Sequence, residues 1–153
     1  MIMERFKMIA SVYLLLVKRR KILLLRRINT GYEDGKYGLP AGHVEDNETI
    51  RAALCREVKE EIGILLKPED LELVHVMHRK EKDIRVDFFF TIKEWRQEPK
   101  NNEPNKCDDL KWFTIDNLPK NTIPYIRKAI DNWRKKIFYS KTSFAYSEIG
   151  WVN

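Results

Sequence analysis

Apolar residues recur with two different spacings along this 153-residue chain, and the spacings predict its secondary structure. Residues 84–92, "IRVDFFFTI", place apolar side chains at every second position, which is typical of a β-strand. Residues 49–62 place them at helical spacing, and Asn47 or Thr49 is positioned to cap the start of that helix. A second helix is predicted over 123–138, where one face carries Ile123, Ile126, Ile130 and Trp133.

The remaining apolar segments predict further strands. The runs at 8–17 and 22–25 are separated by the charged "KRRK", which predicts a β-hairpin within the first 28 residues. The other expected elements are strands over 71–79 and 110–115, polar loops over 29–47, 97–109 and 116–122, and a tail over 139–153 that fits a final strand or a dimer contact. Strands interspersed with two helices predict a single α/β domain over residues 1–153.

Composition narrows the class of protein without identifying a function. With 43% hydrophobic and 34% charged residues, the chain is predicted to be globular, and its apolar runs are too short to cross a membrane. Its two cysteines, Cys55 and Cys107, are too few for a disulfide framework. Both are therefore expected to be reduced thiols, which favours a cytoplasmic protein.

The formal net charge of +6 is unevenly distributed. Residues 42–64 carry six acidic and three basic side chains, whereas the rest of the chain has an excess of lysine and arginine. A local acidic group in a basic surrounding suits a site that holds cations and attracts a polyanion. Surface lysines that only maintain solubility would account for most of the same excess.

Three glutamates, Glu57, Glu60 and Glu61, crowd one turn of the first predicted helix, although like charges at this spacing repel. With about 100° of rotation per residue, Glu61 falls inside the apolar stripe, Glu57 at its edge and Glu60 just beyond it. Acidic groups at the margin of a buried face need counter-charges. A divalent cation with oxygen ligands would supply them. A structural salt-bridge network and an ordinary solvated surface are the alternatives.

Residues upstream of these glutamates complete a longer pattern. Gly42 is followed after five residues by Glu48, and after seven more by "REVKEEIGI" (56–64). This segment resembles the Nudix box, G-x5-E-x7-R-E-U-x-E-E-x-G-U with U an aliphatic residue, and it matches the box at every fixed position. The resemblance implies a Nudix-type α/β/α sandwich, with a mixed β-sheet between helices, across nearly the whole chain.

The resemblance also implies an activity and a metal site. Nudix hydrolases cleave a nucleoside diphosphate linked to another group, and they use Mg²⁺, for which Mn²⁺ can substitute. Carried over by position, the metal ligands would be Glu57, Glu60, Glu61 and the backbone carbonyl of Ala41. The metals would neutralise the diphosphate and activate a water molecule for in-line attack.

The other fixed positions of the box have supporting roles in the family. Arg56 would orient Glu57 by a salt bridge, and Glu48 would support the geometry between the loop and the helix. Gly42 and Gly63 would be structural. These assignments rest on the resemblance.

The general base is not fixed by the family pattern and often comes from a carboxylate in a later loop. Glu103 is the favoured residue here, because "NNEPNKCDD" precedes a predicted strand and could fold over the site. Asp108 and Asp109 are the rivals. A polar loop without a catalytic role is the alternative.

Several residues are expected to contact the substrate. The candidates for phosphate contacts are Arg26 or Arg27 at the end of the predicted hairpin, and Arg79 and Arg85 later in the chain. An ordinary surface arginine is the alternative for each. Phe89 could stack on a base, although packing under a helix is the alternative for a residue of a sheet that is covered on both faces. Weaker stacking candidates are Trp95, Trp112 and Tyr125.

The substrate class is the least defined prediction. ADP-ribose hydrolases of the family tend to carry a proline about fifteen residues past the box, and dinucleoside polyphosphate hydrolases a tyrosine, whereas position 78 is His. The absence of both favours a MutT-like enzyme that converts a nucleoside 5′-triphosphate to the monophosphate and pyrophosphate. Activity on ADP-ribose or nucleotide sugars, activity on RNA 5′ ends, and a nucleotide-sensing module without catalysis are the alternatives. A homodimer is the expected assembly if the tail forms a subunit contact.

Overall fold

Nine β-strands, two α-helices and one 3₁₀ helix make up residues 2–142, the part of the chain that the computed structural model describes. The helices are α1 (Ile50–Ile62) and α2 (Pro124–Arg134), and the 3₁₀ helix covers Pro68–Asp70. The strands are β1 (Ile9–Leu15), β2 (Val17–Lys18), β3 (Lys21–Arg27), β4 (Tyr37–Gly38), β5 (Ala41–His43), β6 (Glu72–Lys80), β7 (Ile84–Thr91), β8 (Cys107–Thr114) and β9 (Tyr139–Thr142). Within these residues, neither helix is long and apolar enough to span a bilayer.

The strands form two sheets. The larger sheet is mixed and has the order β5-β1-β7-β6-β9, with β1 parallel to β7 and β9 parallel to β6. In the smaller sheet β2, β4 and β8 all pair antiparallel with β3. Helix α1 packs on β1 and β5, whereas α2 packs on β6. The prediction of an α/β fold with a mixed sheet between helices is confirmed.

The predicted hairpin of the first 28 residues is only partly correct. A tight hairpin joins β2 to β3 through Arg19 and Arg20, whose φ angles of 50° and 61° match the left-handed conformation that two-residue hairpin turns require. The long run before it belongs to the other sheet, because β1 is paired on its two edges by β5 and β7. Burial explains the apolar run: β1 is a central strand with cores on both faces.

The helices follow the predicted apolar stripes with small changes at their ends. Of the two proposed caps for α1, Thr49 is the one used, since its hydroxyl accepts a hydrogen bond from the Ala52 amide (3.1 Å). The buried face of α1 consists of Ala53, Leu54, Val58 and Ile62. Helix α2 ends at Arg134, four residues earlier than predicted, because the chain turns at Lys136 (φ 59°) to enter β9.

Two strand predictions also change at their boundaries. Strand β8 begins at Cys107 instead of residue 110, because β3 extends far enough to pair Arg27 with Cys107. Of the tail at 139–153, residues 139–142 form the predicted final strand, and residues 143–153 lie outside the described part of the chain. Cys55 and Cys107 are free thiols.

The C-terminal end of α1 is fixed by a glycine and by the loop before β8. Gly63 adopts a left-handed conformation (φ 71°) and donates its amide hydrogen bond to the Lys59 carbonyl. The amides of Lys100 and Asn102 donate to the carbonyls of Ile62 (2.9 Å) and Glu61 (3.0 Å). The last helical carbonyls are therefore satisfied by the loop, which holds the loop against the helix.

Replacing Gly63 with alanine should lower the free energy of unfolding. A non-glycine residue in the left-handed region costs about 1–2 kcal/mol, and the added Cβ would lie 3.0 Å from Asn102 Nδ2. Gly31→Ala is the matched control, because Gly31 has φ 78° with nothing near its would-be Cβ. Denaturant unfolding should show a larger loss for Gly63→Ala than for Gly31→Ala. Equal losses would contradict the role given to the loop contact.

Candidate active site

A cavity of about 750 Å³ lies where α1, β5 and the ends of β1 and β7 meet the loops before β4 and β8. Its acidic lining residues are Glu45, Glu57, Glu60, Glu61 and Glu103. A larger depression of about 880 Å³ occurs elsewhere on the surface, around Leu65, Lys93 and Trp95, and it contains none of these glutamates. The concentration of carboxylates identifies the smaller cavity as the candidate site.

Arg56 connects the loop before α1 to the acidic face of the helix. Its Nε and Nη2 atoms donate to both carboxylate oxygens of Glu48, at 3.0 and 2.7 Å, and Nη2 also donates to the His43 carbonyl (3.1 Å). Its Nη1 atom donates to Glu57 Oε1 (2.8 Å) and lies 3.5 Å from Glu60 Oε2. The pKa of Glu48 falls to about 2, mainly because of the hydrogen bonds from Arg56. Paired charges thus fix the loop relative to the helix.

Glu57 is held between Arg56 and the backbone of β5. A Cβ at position 42 would overlap the Glu57 carboxyl group, so this close approach requires glycine. Burial raises the pKa of Glu57 in spite of the Arg56 guanidinium, and the negative charge of Glu60 adds to the rise. The single arginine therefore does not compensate the charge of this carboxylate.

Glu61 is also insufficiently compensated. Its Oε2 atom accepts a hydrogen bond from the Ala41 amide (3.2 Å), which places Ala41 beside the carboxylate. Burial raises the pKa of Glu61 well above its usual value, and the charges of Glu57 and Glu103 raise it further. A bound cation would relieve this cost.

The donor set fits a hard divalent cation, because all the acidic groups present oxygen ligands. Glu57, Glu60 and Glu61 reach the cavity from one turn of α1, and the Ala41 backbone borders it. Across residues 2–142, however, no three His, Cys, Asp or Glu side chains converge closely enough to form a complete metal cage. The cation would have to draw the glutamates together.

Among the three residues proposed as general base, Glu103 alone lines the cavity. The loop that caps α1 places it near Glu57 and Glu61, whose pKa values its charge raises. Asp108 instead forms an ion pair with Arg26 (2.7 Å), and Asp109 accepts a hydrogen bond from the Tyr37 hydroxyl.

Two of the predicted phosphate-binding arginines, Arg27 and Arg85, line the cavity. Arg26 does not, since its guanidinium is paired with Asp108 and lies 5.7 Å from the centre of the Tyr37 ring. Arg26 therefore faces away from the acidic group, and its assignment to the substrate is not supported.

Phe89 is not available to stack on a base. It is fully buried, and its ring is stacked on Tyr13 with centroids 4.5 Å apart, within the core under α2. The assignment of Phe89 to the substrate is thus wrong, and the alternative of packing under a helix is correct. Trp95 and Trp112 stack on each other, and Tyr125 borders the cavity.

Arg79 is likewise buried, with 1% of its side chain exposed. It donates to Asp87 (2.6 Å) and to the Tyr32 hydroxyl (3.2 Å), and it forms an ion pair with Glu81. Its guanidinium also lies 3.7 Å from the centre of the Tyr125 ring. Arg79 is therefore neutralised within the protein and serves to support the cavity wall.

Sequence reasoning missed several lining residues, among them Ser11, His43 and Tyr32. Ser11 interrupts the apolar run of β1, and a polar residue within a buried strand is the signal that could have identified it. His43 directly follows Gly42 on the edge strand β5. Tyr32 lies in the loop after β3 and reaches across to Glu81 (2.6 Å), a long-range contact that no local pattern predicts.

Comparisons with known proteins agree with this geometry. The family model for the NUDIX domain matches residues 6–133. A curated ADP-ribose pyrophosphatase of Methanocaldococcus jannaschii is 34% identical over 106 residues, which cover 67% of this chain and 60% of that protein. An 8-oxo-dGTP diphosphatase of Escherichia coli is 27% identical over 114 residues, which cover 72% of this chain and 87% of that protein.

A solved structure extends the agreement to the fold. The crystal structure of a MutT NUDIX hydrolase from Burkholderia pseudomallei superimposes with a TM-score of 0.75 at 29% identity, covering 82% of this chain and 98% of that one. The family match includes the whole segment from Gly42 to Ile64 and most of both sheets. The chain therefore belongs to the NUDIX domain family, and it is a MutT-like Nudix hydrolase.

Proposed function

We propose that this Nudix hydrolase uses Mg²⁺ to convert a nucleoside 5′-triphosphate to the monophosphate and pyrophosphate. The observation that carries the proposal is that Glu57, Glu60, Glu61 and Glu103 all line one cavity. Two of these carboxylates, Glu57 and Glu61, are buried without enough positive charge nearby to offset the cost of burial, which raises their pKa values. Mn²⁺ is expected to substitute for Mg²⁺, since both accept carboxylate oxygen ligands.

Each residue has a distinct task in the proposed reaction. Glu57, Glu60, Glu61 and the Ala41 carbonyl hold the metal, which when bound neutralises the diphosphate and makes a water molecule a better nucleophile. Arg56 keeps Glu57 in position through its hydrogen bond of 2.8 Å. Glu103 accepts the proton of the attacking water, so that the new P–O bond forms as the bond to the leaving group breaks.

The basic lining residues attract and orient the phosphates. Arg27 and Arg85 border the cavity and carry positive charge that can contact phosphate oxygens. The excess of basic residues outside 42–64 adds a long-range attraction for polyanions. Glu48, Gly42 and Gly63 act through geometry, because they fix the loop, admit the Glu57 side chain and end the helix.

The triphosphate is favoured by similarity to proteins of MutT type. The E. coli 8-oxo-dGTP diphosphatase aligns over 87% of its length, whereas the archaeal ADP-ribose pyrophosphatase aligns over 60%. The absence of proline and tyrosine at position 78 agrees with this choice. ADP-ribose and nucleotide sugars are the second candidate substrates because the archaeal relative has the higher identity, 34%.

The domain organisation, cellular location and oligomeric state are also proposed from the sequence and structure of the chain. Residues 1–153 are expected to act as one domain in the cytoplasm, consistent with free thiols at Cys55 and Cys107. Exposed Ile137 and Phe138 directly precede the edge strand β9, which begins at exposed Tyr139, and this apolar segment supports a homodimer.

Glu57→Gln should abolish metal-dependent turnover while the fold is retained. The substitution keeps the side-chain shape but removes a ligand charge, so we expect kcat to fall by about 10²-fold or more and Mg²⁺ affinity to weaken. Steady-state kinetics, calorimetric titration with Mg²⁺ and thermal melting would measure the three effects. Glu69→Gln changes an exposed acid outside the cavity and should behave as the unchanged protein. Near-native turnover of Glu57→Gln would contradict the metal site.

Glu103→Gln should lower kcat by about 10²–10⁴-fold, the usual contribution of a general base. The affinity for Mg²⁺ should change little, because Glu103 is not assigned as a ligand. Asp108→Asn and Asp109→Asn remove the rival carboxylates, both of which are paired outside the cavity, and should keep most of the activity. A larger loss of kcat in either aspartate variant would transfer the role away from Glu103.

A metal-supplemented substrate panel tests the reaction itself. Nucleoside triphosphates, ADP-ribose, nucleotide sugars and short 5′-triphosphorylated RNA would be incubated with Mg²⁺ or Mn²⁺, and the products identified by mass. We expect nucleoside monophosphate and pyrophosphate from triphosphates at the highest kcat/KM. A higher kcat/KM on RNA that falls steeply with salt would indicate the RNA 5′-end activity instead.

A further inference from the structure

A second group of polar residues, distinct from the glutamates, lines the cavity on the face of the larger sheet. Ser11 in β1 is in register with His43 in β5 and with Asp87 in β7. Arg85 lies two residues before Asp87, so the two side chains share one face of the strand. Ser11, His43 and Arg85 all border the cavity. We call these three residues the sheet cluster.

Two atoms of the sheet cluster are buried without a hydrogen-bond partner among residues 2–142. They are Ser11 Oγ, on a residue that is 2% exposed, and Arg85 Nε. Buried polar groups in folded proteins are nearly always paired, and those that are not require an explanation. Because both atoms belong to residues that line the cavity, a ligand that supplies an acceptor is the natural partner.

The positive charge of Arg85 is weakly compensated. Its Nη1 atom contacts His43 Nε2 (3.1 Å), and the nearest carboxylate that pairs with it is Asp83 at 3.8 Å. A guanidinium carries only donors, so His43 Nε2 is the acceptor in this contact. Asp87 is bonded to Arg79 (2.6 Å) and to the Tyr13 hydroxyl (3.2 Å).

We propose that the sheet cluster is an anion subsite that binds the terminal phosphate of a nucleoside triphosphate, the phosphate that is released within the pyrophosphate product. This inference rests on the proposed function. Ser11, His43 and Arg85 border the same cavity as Glu57, Glu60 and Glu61, so the subsite opens into the space that the proposed metal ligands line. A phosphate oxygen replaces His43 Nε2 as the acceptor of Arg85 Nη1, and the exposed imidazole turns towards solvent.

The subsite selects the class of substrate. A triphosphate presents a charged, acceptor-rich group to Arg85 and Ser11. A nucleotide sugar presents neutral hydroxyl groups at the same end, which leave the guanidinium uncompensated. Discrimination therefore arises from the charge compensation and the hydrogen bonds that a terminal phosphate supplies to Arg85 and Ser11 and that a neutral sugar does not.

Arg85→Gln and Ser11→Ala test the subsite. We expect Arg85→Gln to raise KM for a nucleoside triphosphate about 10–100-fold and Ser11→Ala about 2–10-fold, with KM for the matching nucleotide sugar changed less than about 2-fold. Calorimetric titration of both variants with inorganic tripolyphosphate should show losses of affinity of similar size to these increases in KM, in a measurement that does not depend on turnover. Arg20→Gln removes an exposed arginine from the β2–β3 turn and controls for the loss of one positive charge.

Several outcomes would overturn the proposal. Equal increases of KM for the triphosphate and the nucleotide sugar in Arg85→Gln would show that Arg85 does not select the terminal phosphate. A changed purine-to-pyrimidine preference with constant tripolyphosphate affinity would assign the cluster to the base. If the unaltered protein hydrolyses neither substrate, the proposed function fails, and equal tripolyphosphate affinity of the Arg85→Gln and unaltered proteins would then reject the subsite separately. Arg85→Lys keeps the positive charge, so its KM for the triphosphate should lie between the values for the unaltered protein and for Arg85→Gln. This second variant keeps the test valid if Arg85→Gln misfolds.

Discussion

The guanidinium of Arg56 joins the loop before α1 to the helix itself, and the acidic side chains of the site take their positions from that junction. Two of its nitrogens bind Glu48, one also reaches the His43 carbonyl, and the third binds Glu57. The planar group satisfies these acceptors in fixed directions, which a lysine ammonium would not do. The loop therefore brings Gly42 against Glu57, and that contact leaves no room for a side chain.

The same arginine divides the carboxylates into two classes. Glu48 receives two hydrogen bonds from Arg56, and its pKa of about 2 marks a stably charged structural group. Glu57 and Glu61 keep raised pKa values because burial outweighs the compensation they receive. Charge that supports the fold is thus paired inside the protein, whereas charge at the cavity remains to be paired by what binds there. Such unfavourable electrostatics is typical of a functional site.

Local spacing is sufficient to predict the parts of the site that lie on one element. The apolar stripe of α1, the Thr49 cap and the separation of Gly42 from Glu48 and Arg56 all depend on neighbours close in sequence. Errors arise where a residue's environment depends on distant strands. Phe89 occupies the face of β7 that a simple alternation treats as polar, yet that face is covered by α2 and Tyr13. The apolar run of β1 predicts a hairpin because it does not reveal that both edges of the strand are paired by other strands.

The cavity consequently has two halves of different origin. One half comes from a continuous segment, from Gly42 to Ile64, whose residues are close in sequence. The other half is assembled by strand register, which brings Ser11 of β1 and Arg85 of β7 near His43 at the start of that segment. A substitution at position 11 or 85 leaves the sequence from Gly42 to Ile64 unchanged, so under the proposed roles it would alter substrate preference without replacing a metal ligand. Relatives named for ADP-ribose and for 8-oxo-dGTP, at only 34% and 27% identity, fit this separation of chemistry from selection.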